Sequence, residues 1–160
     1  MSIPARAKIT GSYINTALAK TESMLNGYDE ALLLDERGHI VEGSAENIFL
    51  VKDNHVFTPP VSDDILVGIT RDTVMMLLRE ELNIPVHERN IDRTEVYQAD
   101  EVFLVGTGAE ISHVGEVDKR TIGTGKIGPI SKQIQDFYFK MVHGELAKYK
   151  HFLTKIEKKS

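Results

Sequence analysis

Apolar residues recur along this chain in two rhythms. Ile48-Phe49-Leu50-Val51 is a continuous β-branched and aromatic run, the composition of a buried strand. Similar short runs predict strands over Glu30–Asp35, His39–Glu42, Asn47–Lys52, His55–Thr58, Pro85–Ile91, Glu101–Val105 and Glu110–Val117. Asp53-Asn54 joins two of them as a hairpin turn, and Thr58-Pro59-Pro60 ends the second, because consecutive prolines cannot continue a ladder.

A helical spacing appears in three places. Ser12–Asn26 carries Ile14, Leu18 and Leu25 on one side, with Gly27 as its stop. Gly68 to Leu82 carries Ile69, Thr73, Leu77 and Leu78. A terminal helix begins at Pro129, with Ile130, Ile134, Phe137 and Met141 along one side. Asp92-Arg93-Thr94-Glu95 reads as a capping box. Met1–Ala7 is expected to be an extended lead-in. Strands and helices are mixed and several strands form hairpins, so the βαβ alternation of a Rossmann domain is not predicted.

Composition narrows the class. The 160 residues suit one domain with a real core. The net charge of −5 and the lack of a basic block, apart from the Lys155–Lys159 tail, argue against nucleic acid as a partner. No cysteine is present, which removes disulfides and thiolate metal sites and fits a cytoplasmic protein. No apolar run is long enough to span a bilayer, and Met1-Ser2-Ile3-Pro4 has no signal-peptide pattern. The six histidines show no metal-ligand spacing, so no metal site is expected.

Candidate chemistry gathers at a few polar positions. Glu42, Glu46 and Asn47 stand directly against the apolar run, where a polar group must be paired or serve a ligand. Gly68-Ile69-Thr70 opens a helix, where free N–H groups and the dipole favour an anion. Thr107 lies between two glycines after a strand, so backbone and hydroxyl can approach a ligand closely. Lys8 sits among small residues in Ala7-Lys8-Ile9-Thr10-Gly11. Each has an ordinary alternative: a plain N-cap, a tight turn, a solvated lysine. Gly123 to Gly128 matches G-x-G-x-x-G, but Asp118-Lys119-Arg120-Thr121 before it is too polar for a central parallel strand, so the dinucleotide reading fails on context.

Taken in order, the blocks A-K-I-T-G-S-Y (Ala7 to Tyr13), G-Y-D-E-A-L-L-L-D (Gly27 to Asp35), V-E-G-S-A-E-N-I-F (Val41 to Phe49), T-P-P (Thr58 to Pro60), L-V-G-I-T-R-D (Leu66 to Asp72), A-D-E-V-F-L-V-G-T (Ala99 to Thr107) and G-K-I-G-P-I (Gly125 to Ile130) resemble the branched-chain amino acid aminotransferases, of the fold type IV pyridoxal-phosphate enzymes. The resemblance runs over nearly the whole chain. It implies an α+β fold with mixed, largely antiparallel sheets in a pseudo-barrel with flanking helices. It implies transamination of Leu, Ile or Val with 2-oxoglutarate on pyridoxal 5'-phosphate, in a homo-oligomer. Lys8 falls at the family's Schiff-base lysine and Tyr13 at the tyrosine on the cofactor's phenolic oxygen. Glu42 falls at the carboxylate facing the pyridine nitrogen and Leu66 at the residue packing on the ring. Ile69, Thr70 and Thr107 fall at the phosphate positions, and Tyr13, Thr107 and Gly108 at substrate positions. Glu46 and Asn47 are left with structural roles in the loop carrying Glu42.

The chain departs from the family in one large way. Only seven residues precede Lys8, so the family's small N-terminal domain is expected to be absent, residues 1–160 to be the cofactor-binding large domain, and the chain by itself to bind the cofactor weakly and be low in activity. The other readings are a non-catalytic cofactor-binding or assembly fragment, and a sister activity of the same fold type, D-amino acid transamination or aminodeoxychorismate lysis.

Overall fold

The computed structural model describes residues 4–156. Residues 1–3 of the expected lead-in and 157–160 of the basic tail lie outside the described residues. The rest of the lead-in is a turn rather than an extended segment, closed by the Ala7 N–H donating to the Pro4 carbonyl at 3.0 Å.

After a short 3-10 turn at Thr10–Ser12 come α1 (Tyr13–Leu25), β1 (Leu32–Leu34), β2 (His39–Gly43), β3 (Asn47–Lys52) and β4 (His55–Thr58). Then follow α2 (Ile69–Glu80), β5 (Val86–Glu88), β6 (Ile91–Asp92), a 3-10 segment at Arg93–Gln98, β7 (Glu101–Gly106) and β8 (Glu110–His113). The chain ends with β9 (Glu116–Val117), β10 (Arg120–Thr121), α3 (Pro129–Val142) and a 3-10 segment at Ala147–Phe152.

The central sheet has the order β5-β4-β3-β7-β8. Its pairings are antiparallel except for β4 with β5, which are parallel and joined through α2. A smaller sheet, β1-β2-β6, is antiparallel throughout. The class is therefore α+β with mixed, mostly antiparallel sheets. The strand orders are open and close no barrel.

Both faces of the central sheet are buried, which explains why β3 and β7 read as unbroken apolar runs. One face, with Phe49, Val51, Phe103 and Val105, packs on Val74, Leu77 and Leu78 of α2 and Ile130, Ile134 and Met141 of α3. Phe49 and Phe103 are cross-strand partners whose rings stack at 5.1 Å. The other face, with Ile48, Leu50, Val102 and Leu104, packs on Ile40, Ile91, Val96 and Ile122. Burying those residues is worth roughly 1.5–3 kcal/mol each, so this two-sided core fixes the position of β2 and β3 and the loop between them.

Several sequence expectations shift. The run Pro85–Ile91 breaks in two, because Val86 joins the α2 side of the core while Ile91 pairs with Ile40 in the smaller sheet. The run Glu110–Val117 also breaks, where the Gly115 carbonyl accepts from Ile122 N–H and the Gly115 and Gly125 backbones meet too closely for a side chain. On α2 the buried arc is Thr70, Arg71, Val74, Met75, Leu77 and Leu78, and Ile69 is 79% exposed. Leu77 and Leu78 are buried as expected, while Thr70 and Val74 take the inward places expected of Ile69 and Thr73. Arg71 enters the core because its guanidinium donates to the Pro59 carbonyl (2.9 Å) and the Glu88 carboxylate (2.8 Å). α1 buries nothing: Ile14, Leu18, Met24 and Leu25 all face outward.

Candidate active site

A cavity of about 1130 Å³ opens beside the C-terminal end of β7 and the N-terminus of α2. It is lined by Lys8, Tyr13, Glu42, Leu66, Ile69, Thr70 and Thr107, among others. Residues spread over ninety-nine positions of sequence thus meet at one place. Gly108 sits one residue beyond, on the exposed part of the turn, and is not part of the lining.

Glu42 comes from β2, next to the buried Val41 and Gly43. Its Oε2 accepts the Leu66 backbone N–H at 3.0 Å. Burial pushes its carboxyl up to about 7. The Leu66 N–H opposes this, the Glu46 charge reinforces it, and the Lys8 ammonium draws it partly back. A carboxyl in this state gains most from a cationic N–H placed against it.

Lys8 is exposed rather than enclosed, and its Nζ lies 5.9 Å from the centroid of the Tyr13 ring. The small-residue setting read from sequence therefore leaves room around the amine instead of covering it. Tyr13 begins α1, so the 3-10 turn at Thr10–Ser12 fixes the spacing between the two side chains. Ser12 braces that turn by donating its hydroxyl to the Ile9 carbonyl at 2.8 Å.

The N-terminus of α2 has no side-chain cap: Gly68 is the N-cap, with extended φ and ψ. Its first N–H groups therefore lack intrahelical partners and are suited to an anion. Thr70 is buried there, and Ile69 projects outward at the cavity. Gly68 is required by contact: a Cβ would lie 2.3 Å from Asn47 Oδ1. Across the opening, Thr107 belongs to the turn between β7 and β8, which Ser112 closes by donating to the Ala109 carbonyl at 2.8 Å.

Two residues prove more directly connected to the site than the sequence suggested. Asn47 Nδ2 donates to the Leu66 carbonyl at 2.8 Å. Glu42 and Asn47 together therefore hold both backbone groups of Leu66. Glu46 lines the cavity and pins its own turn, accepting from Ala45 N–H at 3.0 Å, while Gly43 N–H donates to the Glu46 carbonyl at 2.7 Å. Burial raises the Glu46 carboxyl, and the charge of Glu30 adds to the rise. Glu30 reaches the same loop from outside. It accepts from Ser44 N–H at 3.3 Å and is ion-paired to Lys20 of α1 at 2.6 Å. The G-Y-D-E block contained Glu30, but only the fold shows which loop it braces.

The G-x-G-x-x-G segment gains an independent objection. The helix it precedes, α3, already has an anion at its N-terminus. The buried Glu101 carboxylate accepts from Ile130 N–H (3.0 Å) and Ser131 N–H (2.7 Å). Gly128 must stay bare, since a Cβ there would lie 2.1 Å from the Glu101 side chain. Among the described residues no group of three or more His, Cys, Asp or Glu side chains is placed to hold a metal ion.

An open mixed sheet thus gathers at one edge a half-buried carboxyl, an exposed lysine and a helix N-terminus without a side-chain cap, within an α+β domain. The family follows from comparison: the amino-transferase class IV model matches residues 1–117, and the chain belongs to that family. A probable branched-chain-amino-acid aminotransferase of Aquifex aeolicus is 54% identical over 155 residues, covering 97% of this chain and 50% of the relative. The branched-chain-amino-acid aminotransferase of Pseudomonas aeruginosa is 43% identical over 152 residues, covering 95% and 49%. The branched-chain amino acid aminotransferase of Thermobaculum terrenum, solved in its PLP form, superposes with a TM-score of 0.93 at 42% identity, covering 96% of this chain and 50% of that one. The chain spans about half the length of the relatives it matches. Among the described residues no helix is long and apolar enough to cross a membrane.

Proposed function

We propose that this chain is the pyridoxal-phosphate-binding large domain of a branched-chain amino acid aminotransferase, acting on Leu, Ile or Val with 2-oxoglutarate as amino acceptor. The observation that carries this reading is the meeting of Glu42, Lys8 and the α2 N-terminus on one cavity. The residues present suit the cofactor. Glu42 is a half-buried carboxyl with a single backbone donor, matched to a protonated ring nitrogen. The first turn of α2 with Thr70, and the Thr107 turn, offer N–H and hydroxyl groups to a phosphate. Leu66, held at both its N–H and its carbonyl, presents a fixed apolar surface for a planar ring.

When bound, pyridoxal phosphate supplies an electron sink for the charge left when Cα of the amino acid loses its proton. The rest of the work falls to this chain. Glu42, as carboxylate, would hold a proton on the ring nitrogen and so keep the sink effective. Lys8 would hold the cofactor through its amine and, when that amine is free, would serve as base and then acid for the proton at Cα. Tyr13, beside Lys8, hydrogen-bonds the cofactor's phenolic oxygen. Thr107, and Gly108 one residue beyond the lining, would offer backbone N–H groups to the substrate carboxylate. The outward apolar face of α1 supports self-association of the chain.

The test is transamination itself. Protein loaded with pyridoxal phosphate is mixed with L-leucine, and the cofactor spectrum is followed before and after 2-oxoglutarate is added. The reading expects leucine to convert the cofactor to its amine form and 2-oxoglutarate to restore it, both slowly and in low yield in this chain, with both changes lost in Lys8→Ala. Equal behaviour of Lys8→Ala and wild type would refute the role of Lys8. Conversion by D-alanine but not L-leucine would move the chain to a sister activity. Binding without conversion by either amino acid would identify a cofactor-binding fragment.

A further inference from the structure

A second polar cluster lies outside the cavity, on the open edge of the central sheet. His55 opens β4 and His87 is the middle residue of the edge strand β5. They are 32 residues apart in sequence, with no motif between them. The parallel pairing of Phe57 with His87 brings them to one face. His55 Nδ1 and His87 Nε2 approach to 2.9 Å, and both rings are exposed. The ring of Phe57 lies 5.3 Å from that of His87 and 6.4 Å from that of His55, so it walls one side of the pair.

The geometry points to a two-histidine site for a divalent transition-metal ion, Cu²⁺ or Zn²⁺, bridging β4 and the edge strand β5. The two facing ring nitrogens lie 2.9 Å apart, within reach of one ion. Tetrahedral Zn²⁺ bound to both at about 2.0–2.1 Å needs them about 3.3 Å apart, and tetragonal Cu²⁺ needs them about 2.9 Å apart. The present separation is close to both values, and binding requires each exposed ring to turn so that its lone pair points off the line that now joins the nitrogens. One ring now donates its facing N–H to the other. On metal binding that ring takes its other tautomer, its proton passing through water to the far nitrogen, so both facing lone pairs become ligands and a neutral pair loses no net proton. Water completes the coordination.

The surrounding charges permit a cation. Two basic side chains on the sheet are each held by a carboxylate, and a third, Arg79 of α2, donates to the Val86 carbonyl beside His87 at 3.3 Å. Lys52, the cross-strand partner of His55, is paired with Asp100 at 2.9 Å. Arg89, stacked over Phe57 at 4.3 Å, is held by the Glu95 carboxylate at 3.0 and 2.6 Å. The preference for imidazole among borderline metals places Cu²⁺ above Zn²⁺ in affinity. A bound ion would tie down a three-residue edge strand, so it should raise the unfolding temperature by mass action.

The experiment uses chelator-stripped 160-residue protein and titrates CuCl₂ and ZnCl₂ by calorimetry. Electron paramagnetic resonance of the Cu²⁺ form counts the coordinating nitrogens. Thermal melts are recorded with and without Zn²⁺. The expected result is one Cu²⁺ per chain bound by two nitrogens, a Zn²⁺-dependent rise in melting temperature, and a tenfold or greater weakening in His55→Gln, in His87→Gln and in the double variant. These exposed substitutions leave the metal-free melt unchanged. The site is overturned if wild type shows no saturable one-to-one binding, or if either substitution weakens binding by less than tenfold. Neither result depends on the transaminase reading, because no cavity residue is touched.

Discussion

Asn47 Nδ2 donates to the backbone carbonyl of Leu66 at 2.8 Å, joining residues nineteen positions apart. Five residues earlier, Glu42 accepts the N–H of the same Leu66 at 3.0 Å. The two polar ends of the Glu42–Asn47 motif therefore fix one backbone unit, and that unit leads through Val67 and Gly68 into α2. The motif sets where the helix N-terminus stands relative to Glu42. In the proposed site this distance separates the cofactor's ring nitrogen from its phosphate.

Asn47→Ala should destabilise the protein by about 1–3 kcal/mol, because the Leu66 carbonyl loses its partner in a part-buried site. Asn47→Asp keeps the shape and loses the donor, and should also weaken pyridoxal phosphate more than phosphate-free pyridoxal. Chemical denaturation measures the first effect and paired ligand titrations the second. Equal weakening of both ligands would mean that Asn47 does not position the phosphate end.

Glu42 makes stability depend on pH in a defined window. Its carboxyl titrates near 4.5 in the unfolded chain and at about 7 in the folded one. Between those values the folded state keeps a proton that the unfolded state has released. Its contribution to stability therefore falls as pH rises from 4.5 to 7 and is constant above. Glu42→Gln keeps an acceptor for Leu66 N–H and removes the titration. The variant should gain on wild type by about 1–3 kcal/mol above pH 7, allowing for partial solvent contact, and not at pH 4. Melting curves of both proteins from pH 4 to 8 decide this. A difference that does not change with pH would contradict the assignment.

Glu101→Ala should cost about 2–3 kcal/mol, since it removes a buried anion that accepts two N–H groups at the start of α3. Gly128→Ala should also destabilise, by forcing that carboxylate away. A lower denaturant midpoint with unchanged slope is the expected signature.

On α1, Leu18→Ser alters an exposed residue and should change stability by no more than about 0.5 kcal/mol. If the outward face of this helix mediates self-association, the same substitution lowers the weight-average mass in sedimentation equilibrium. An unchanged mass would remove α1 from that role.

How much of this was legible in the sequence depended on how local each cause was. The strands Asn47–Lys52 and His55–Thr58 were read to the residue, because the run Ile48–Val51 and the turn Asp53-Asn54 carry their own signals. Both turn residues adopt the positive φ that tight hairpin turns require (50° and 61°). The capping box at Asp92 and Glu95 forms with both of its hydrogen bonds. The cavity residues Lys8, Tyr13, Glu42, Leu66, Ile69, Thr70 and Thr107 were gathered by resemblance and are spatially together. What escaped was set by distant partners. Arg71 is buried only because Glu88 and Pro59 lie opposite it. Glu101 caps a helix that starts twenty-eight residues later. The apolar side of α1 follows helical spacing faithfully, yet spacing cannot say whether anything in the chain covers it.

The most direct measurement is the site of covalent attachment. Pyridoxal phosphate is added to the protein, the complex is reduced with borohydride, and the digested peptides are analysed by mass spectrometry. The account predicts one cofactor mass on the peptide containing Lys8, at one equivalent per chain, lost in Lys8→Ala and weakened in Glu42→Ala. Label spread over other lysines, or unchanged labelling in Lys8→Ala, would contradict it.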